Sequence, residues 1–169
     1  TFYELVKAVM NGDHDFDKID GLFYKKNKDI VATKPRQLIT DLDTIQFPSR
    51  DLFQLDRYYQ APTKKVSENQ AGPILTKRGC VFNCTHCISR NMWGTAPRSR
   101  STKNIMMEIE ECINKYGIKE FNIFDDTFTQ NKKQSIELCD EIMKRKLDIS
   151  WVALSRVNTI PEELIIKMK

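Results

Sequence analysis

Apolar residues open the chain on a helical stripe: Phe2, Leu5, Val6 and Val9 recur every third or fourth position, the spacing of an amphipathic helix. Asn11-Gly12 is its natural stop. Between Ile19 and Thr33 the period shortens. Two apolar runs, Gly21-Leu22-Phe23-Tyr24 and Ile30-Val31-Ala32, flank Lys25-Lys26-Asn27-Lys28-Asp29, which predicts a hairpin. From Pro35 to Gly72 no period survives. Pro48, Pro62 and the paired aromatics Tyr58-Tyr59 read as a connector that packs on its neighbours. A boundary falls near Gly72-Pro73, dividing the chain into residues 1–72 and 73–169.

Beyond Pro73 the pattern is regular. Ile74 to Arg78 predicts a strand ending at Gly79, followed by a cysteine-rich loop. Ser101 is placed to cap a helix whose Ile105, Ile109, Cys112, Ile113 and Tyr116 share a face, with Gly117 as stop. Phe121-Asn122-Ile123-Phe124 predicts a second strand. Ile136, Cys139, Ile142, Met143 and Leu147 mark a second helix, and Trp151-Val152-Ala153-Leu154 a third strand. Thr159-Ile160-Pro161-Glu162 reads as a capping box opening a third helix. The order βαβαβα implies an α/β fold with a parallel sheet and right-handed crossovers. Three units are too few to close a barrel, so the expectation is the first half of a partial (β/α) barrel, preceded by a helix, hairpin and connector from an upstream α/β domain. The chain is expected to be a piece of a longer protein, with chemistry at the C-terminal ends of its strands. Half a barrel would leave its first and third strands with unpaired edges, a solubility hazard.

Composition excludes disorder: 40% of the 169 residues are hydrophobic and 30% charged. No apolar run reaches the roughly 18 residues of a membrane span, and no secretory leader pattern opens the chain. The expected setting is the cytoplasm. Five cysteines without export signals argue against disulfides. Acids and bases balance at 11 each up to Gly72, against 12 acids and 16 bases after it. No carboxylate occurs between Glu68 and Glu108, whereas Lys77, Arg78, Arg90, Arg98, Arg100 and Lys103 do. That interval is suited to holding something anionic.

Its centre is Cys80-Val81-Phe82-Asn83-Cys84-Thr85-His86-Cys87, a CxxxCxxC spacing directly after the first barrel strand. Three close thiolates can reach three corners of a 4Fe-4S cube, leaving the fourth iron open to a small chelating molecule. Structural zinc, held by the three cysteines with His86 or His14, is the competing reading of the same residues. Cys112 and Cys139 lie on apolar helix faces and read as inert buried thiols. Asp125-Asp126 also fits solvated carboxylates at a helix entry. Arg98 and Arg100 fit solvated loop charges or a nucleic-acid contact, and Tyr58, Tyr59 and Trp93 fit packing roles.

At these residues the chain resembles the radical S-adenosylmethionine (SAM) superfamily, whose CxxxCxxC loop follows strand one of a partial (β/α) barrel. Trp93-Gly94, Arg98-Ser99-Arg100-Ser101, Asp125-Asp126-Thr127-Phe128-Thr129 and Trp151 to Val157 are similar to motifs of its cobalamin-associated branch. Thr1 to Leu5, Ile19 to Tyr24, Asp41-Leu42-Asp43 and Phe47 to Leu52 resemble the last helix of a cobalamin-binding domain and its connector. The resemblance implies Cys80, Cys84 and Cys87 as cluster ligands and SAM as chelator of the fourth iron. It places His86 near the adenine, Asp125 and Asp126 at the SAM amino group, and Ser155 and Arg156 near the SAM carboxylate. It implies reductive cleavage of SAM to start radical chemistry on a small-molecule substrate. Electrons would come from a flavodoxin or ferredoxin landing near Arg78, Arg90 and Arg98. Cobalamin is implied for the full-length parent, through residues outside this chain, with methylation or rearrangement as the reaction. An RNA-modifying methylthiotransferase shares the cysteine spacing and is the alternative within the superfamily.

Overall fold

In the first unit, Thr1–Ile39, the stripe of apolar residues forms helix α1 (Phe2–Met10). It buries none of its residues, and Phe2, Tyr3, Val9 and Met10 are exposed. The hairpin follows as β1 (Phe23–Lys26) and β2 (Asp29–Ala32), with Phe23 opposite Ala32. Asn27 takes the left-handed conformation in its turn, at φ 57°, which asparagine tolerates better than most residues. Thr33 anchors the hairpin base. Its hydroxyl donates to the Ile19 carbonyl at 2.7 Å and accepts the Leu22 N–H at 2.9 Å.

The computed structural model describes residues 1–58 and 61–169, so Tyr59 of the paired aromatics lies outside the described residues. The second unit is Thr40–Lys169. Its connector is a series of short 3-10 turns, among them Leu42–Thr44 and Arg50–Leu52, that bury Leu42 and Arg50. The elements then run β3 (Ala71–Ile74), β4 (Lys77–Arg78), α2 (Ser89–Trp93), β5 (Arg98–Ser99) and α3 (Thr102–Tyr116). They continue with β6 (Glu120–Ile123), α4 (Lys132–Lys144), β7 (Ser150–Ala153) and α5 (Glu162–Met168). Strands β3, β6 and β7 form a parallel sheet in that order, with Gly72, Phe121 and Trp151 side by side. This is the expected half of a (β/α) barrel.

The first strand departs from expectation. The parallel strand spans Gly72-Pro73 instead of starting after them, and Lys77-Arg78 belongs to a separate antiparallel pair with Arg98-Ser99. Proline is compatible with this strand because it is at the sheet edge, where its missing N–H is not needed. Gly72 lets Ile118 pack close: a Cβ there would sit 2.9 Å from the Ile118 side chain, which would have to shift. Two arginines close the edge. Arg50 donates to the Pro73 carbonyl at 3.0 Å and Arg100 to the Leu75 carbonyl at 2.8 Å, alternate residues whose carbonyls share one side of the strand. Both guanidiniums also pair with the buried Glu108 of α3. The first strand is an edge as expected, but two of its outward carbonyls are occupied by side chains of the same chain.

Helix α3 begins and ends as its sequence predicts, with Ser101 accepting the Asn104 N–H and Gly117 left-handed at φ 67°. In α4 the buried positions are Gln134, Ser135, Leu138 and Cys139, while Met143 is half exposed. Of the expected stripe, Cys139, Ile142 and Leu147 face the core, whereas Ile136 is half-buried and Leu138 takes the central buried position. Helix α5 lacks the capping box: its N-cap is Pro161, and the Thr159 hydroxyl donates back to the Arg156 carbonyl. Phe121 and Ile123 of β6 pack under the helices with Ile105, Ile109 and Leu138. Cys112 and Cys139 are buried in this layer, and burial pushes each thiol up to about 11, as inert thiols require.

Candidate functional site

The cysteine loop leaves β4 through Gly79, whose φ of 96° is open to glycine and strained for other residues. A Cβ there would also lie 2.9 Å from the Ala96 carbonyl oxygen. The turn delivers Cys80 to a buried position beneath the strand ends, with Cys84 half-buried and Cys87 exposed; all three are free thiols. The Cys87 N–H donates to the Cys84 carbonyl at 3.1 Å, so the second and third cysteines share one tight turn.

Two of the thiols meet a side chain from the C-terminal end of a barrel strand, and the third meets Ser89 of α2, which is itself held by a strand-end carboxylate. Cys80 Sγ lies 3.9 Å from the Thr127 hydroxyl, just after β6. Arg156, just after β7, donates to Cys84 Sγ at 3.4 Å while its guanidinium stacks 4.1 Å from the centre of the Phe82 ring. Cys87 Sγ is 3.3 Å from Ser89 Oγ, and that hydroxyl donates to Asp126 at 2.7 Å. Ser89 beside Cys87 holds its thiol below the ordinary value. Arg156 thus reaches the loop directly, and Asp126 reaches it through Ser89. Thr127 and Ser89, which sequence reasoning did not single out, complete the contacts; Thr127 lay within a quoted motif, whereas nothing in the sequence marks Ser89.

Other expected site residues are placed differently. Asp125 is buried, and its carboxylate accepts the Thr76 N–H at 2.7 Å, the Lys77 N–H at 3.1 Å and the Thr76 hydroxyl. Both oxygens are engaged in clamping the end of β3 to the end of β6. Burial pushes its carboxyl above the usual carboxylate range, against the opposing hydrogen bond from Thr76 and charge of Lys77. Ser155 is occupied with Thr129, accepting its N–H at 3.2 Å and donating to its hydroxyl at 3.0 Å. His86 is exposed between the second and third cysteines.

Among the described residues, no three His, Cys, Asp or Glu side chains converge on one point as ligands of a single ion. A 4Fe-4S cubane presents separate irons, one to each thiolate, and three free thiols on one short loop suit that donor set.

A profile of the Radical SAM superfamily matches residues 74–169. The chain belongs to the radical SAM superfamily. Along its whole length this radical SAM chain is 41% identical to an uncharacterised methyltransferase of Pyrococcus horikoshii, covering 35% of that protein. It is 29% identical over 160 residues to an anaerobic magnesium-protoporphyrin IX monomethyl ester cyclase of Synechocystis, covering 95% of this chain and 30% of the cyclase. The radical SAM chain therefore spans about a third of the length of these curated relatives. Its fold is shared with the cobalamin-dependent SAM radical enzyme OxsB, solved with aqua-cobalamin and S-adenosylmethionine. That likeness has a TM-score of 0.71 at 16% identity, covering 99% of this chain and 24% of OxsB. The methyltransferase TsrM of Kitasatospora setae, solved with cobalamin and a [4Fe-4S] cluster, matches with a TM-score of 0.58 at 23% identity, over 98% of this chain and 30% of TsrM.

Proposed function

We propose that this chain is the part of a radical SAM enzyme that holds the 4Fe-4S cluster through Cys80, Cys84 and Cys87 and receives SAM beside it. The observation that carries the reading is the placing of all three thiols at the strand ends: Cys80 beside Thr127, Cys84 beside Arg156, and Cys87 beside Ser89, whose hydroxyl donates to Asp126. When bound, the reduced cluster supplies the electron that cleaves the sulfonium of SAM. The chain's own residues position the reactants. Arg156 offers a guanidinium to the SAM carboxylate, Asp126 a carboxylate to its amino group, and His86 a ring near the adenine. Asp125 and Ser155 hold the strand ends that carry these groups.

The parent protein is read as a cytoplasmic, cobalamin-dependent methyltransferase or cyclase acting on a small molecule, in line with the names of its relatives. Residues 1–72 are then the end of a cobalamin-binding domain plus connector, and residues 73–169 the first half of the barrel. A flavodoxin or ferredoxin supplies electrons, with the basic Arg78, Arg90 and Arg98 region as the landing surface for an acidic carrier.

Anaerobic reconstitution of the parent enzyme with iron and sulfide tests the reading. About four irons and four sulfides per chain, lost when Cys80, Cys84 and Cys87 are changed together to Ala, are expected. Stoichiometric zinc without cluster absorbance would overturn it.

A further inference from the structure

A cavity of about 360 Å³ opens between the connector and the end of β3. Leu42, Ile45, Phe47, Leu75 and Phe124 give it apolar walls, and Arg78 supplies a cation. Its volume falls in the range of small-molecule sites, which pair a mostly apolar lining with a few placed polar groups.

The charges around it are unequal in a telling way. Arg100 also lines the cavity, but its guanidinium is spent on Glu108, Asn104 and the Leu75 carbonyl. Glu108, the acid in the lining, is fully used by Arg50 and Arg100. Lys77 Nζ donates to the Phe128 carbonyl at 2.7 Å. Arg78 is left: half-buried, it stacks 5.1 Å from the Trp93 ring centre and has no carboxylate partner among the described residues. A guanidinium withdrawn from water beside an apolar wall is costly until an anion pairs with it. Its planar fork suits a carboxylate or phosphate in particular.

We propose that this cavity is a second ligand site, taking an amphipathic oxyanion whose apolar body lies against Ile45, Phe47, Leu75 and Phe124 and whose carboxylate or phosphate pairs with Arg78. The site is formed by side chains of the described chain and does not depend on the cluster. A failure of cluster reconstitution would leave it untouched, and the reverse also holds.

Calorimetric titration of the iron-free chain with four probes tests the proposal. 2-Naphthoate and 2-naphthyl phosphate carry body and charge, 2-naphthamide carries the body alone, and acetate the charge alone. Saturable one-to-one binding is expected for the two naphthyl anions, about tenfold or more tighter than for the amide or acetate, as a charge-assisted pair requires. The better of the two anions names the oxyanion class. Arg78→Met should weaken the naphthyl anions by about tenfold and leave the amide unchanged, and quenching of Trp93 fluorescence should follow the same order. Ile45→Trp, which fills the cavity from the connector, should abolish binding of all naphthyl probes and keeps the test decisive where Arg78→Met fails to fold. Equal affinity for naphthoate and naphthamide, or full anion binding by the Ile45→Trp protein, would overturn the proposal.

Discussion

Arg50, on the connector, donates to the carbonyl of Pro73 at 3.0 Å across 23 residues of sequence, and this closes one position of the open edge of the first barrel strand. Arg100 closes the next, at Leu75, and Glu108 holds both guanidiniums in place. The edge strand of a parallel sheet offers unpaired backbone groups to other chains, and here a buried and a half-buried guanidinium occupy two of them.

Removing the shared acid should therefore do more than weaken one helix. Glu108→Ala leaves Arg50 and Arg100 facing each other without a counter-charge, at a cost of about 3 to 5 kcal/mol, read from urea unfolding. Freed Pro73 and Leu75 carbonyls should also raise self-association in sedimentation velocity. A variant as stable and monodisperse as the parent would show that the pairing is incidental.

Asp125 gives a pH-dependent expectation. Burial raises its folded-state value above that of the unfolded chain, so folding favours its protonated form. Its ionisation costs stability as pH rises through the raised value, and that cost vanishes on acidification. The stability of the parent relative to Asp125→Asn should thus improve from neutral to mildly acidic pH. Asn keeps one acceptor for the Thr76 and Lys77 N–H groups, whereas Asp125→Ala orphans them and should lose about 1 to 3 kcal/mol at any pH.

At the cysteine loop, Arg156→Ala should weaken SAM binding to the reconstituted parent enzyme by about tenfold or more, the worth of a charge-assisted hydrogen bond. Equilibrium dialysis measures it directly. Unchanged affinity would reassign Arg156 to Cys84 and Phe82 alone, its observed neighbours.

The apolar face of α1 carries a prediction about the upstream domain. Phe2 and Val9 are 78% and 53% exposed, and the proposed domain would bury them because a short amphipathic helix takes its stability from such packing. Cysteine introduced at Phe2 or Val9 should react with a thiol reagent much more slowly in the parent enzyme than in this chain. Equal rates would count against the domain assignment.

The sequence by itself determined the local elements and the chemistry of the loop. Ser101 and Gly117 bound α3 because capping hydrogen bonds and a left-handed stop are properties of a few neighbouring residues. The hairpin at 23–32 is local in the same sense. The CxxxCxxC spacing sets how three thiols can be presented, whatever surrounds them. What tertiary structure decided are the relations that span tens of residues. Gly72-Pro73 reads as a break, yet lies inside β3, because at a sheet edge the missing N–H costs nothing and Ile118 fills the space a side chain would need. Asp125 and Asp126 are adjacent and chemically identical, but past the end of β6 one turns into the buried clamp at Thr76 and the other accepts from Ser89. No pattern along the chain distinguishes them, since burial and partner are set by what β3, β6 and the loop bring together in space.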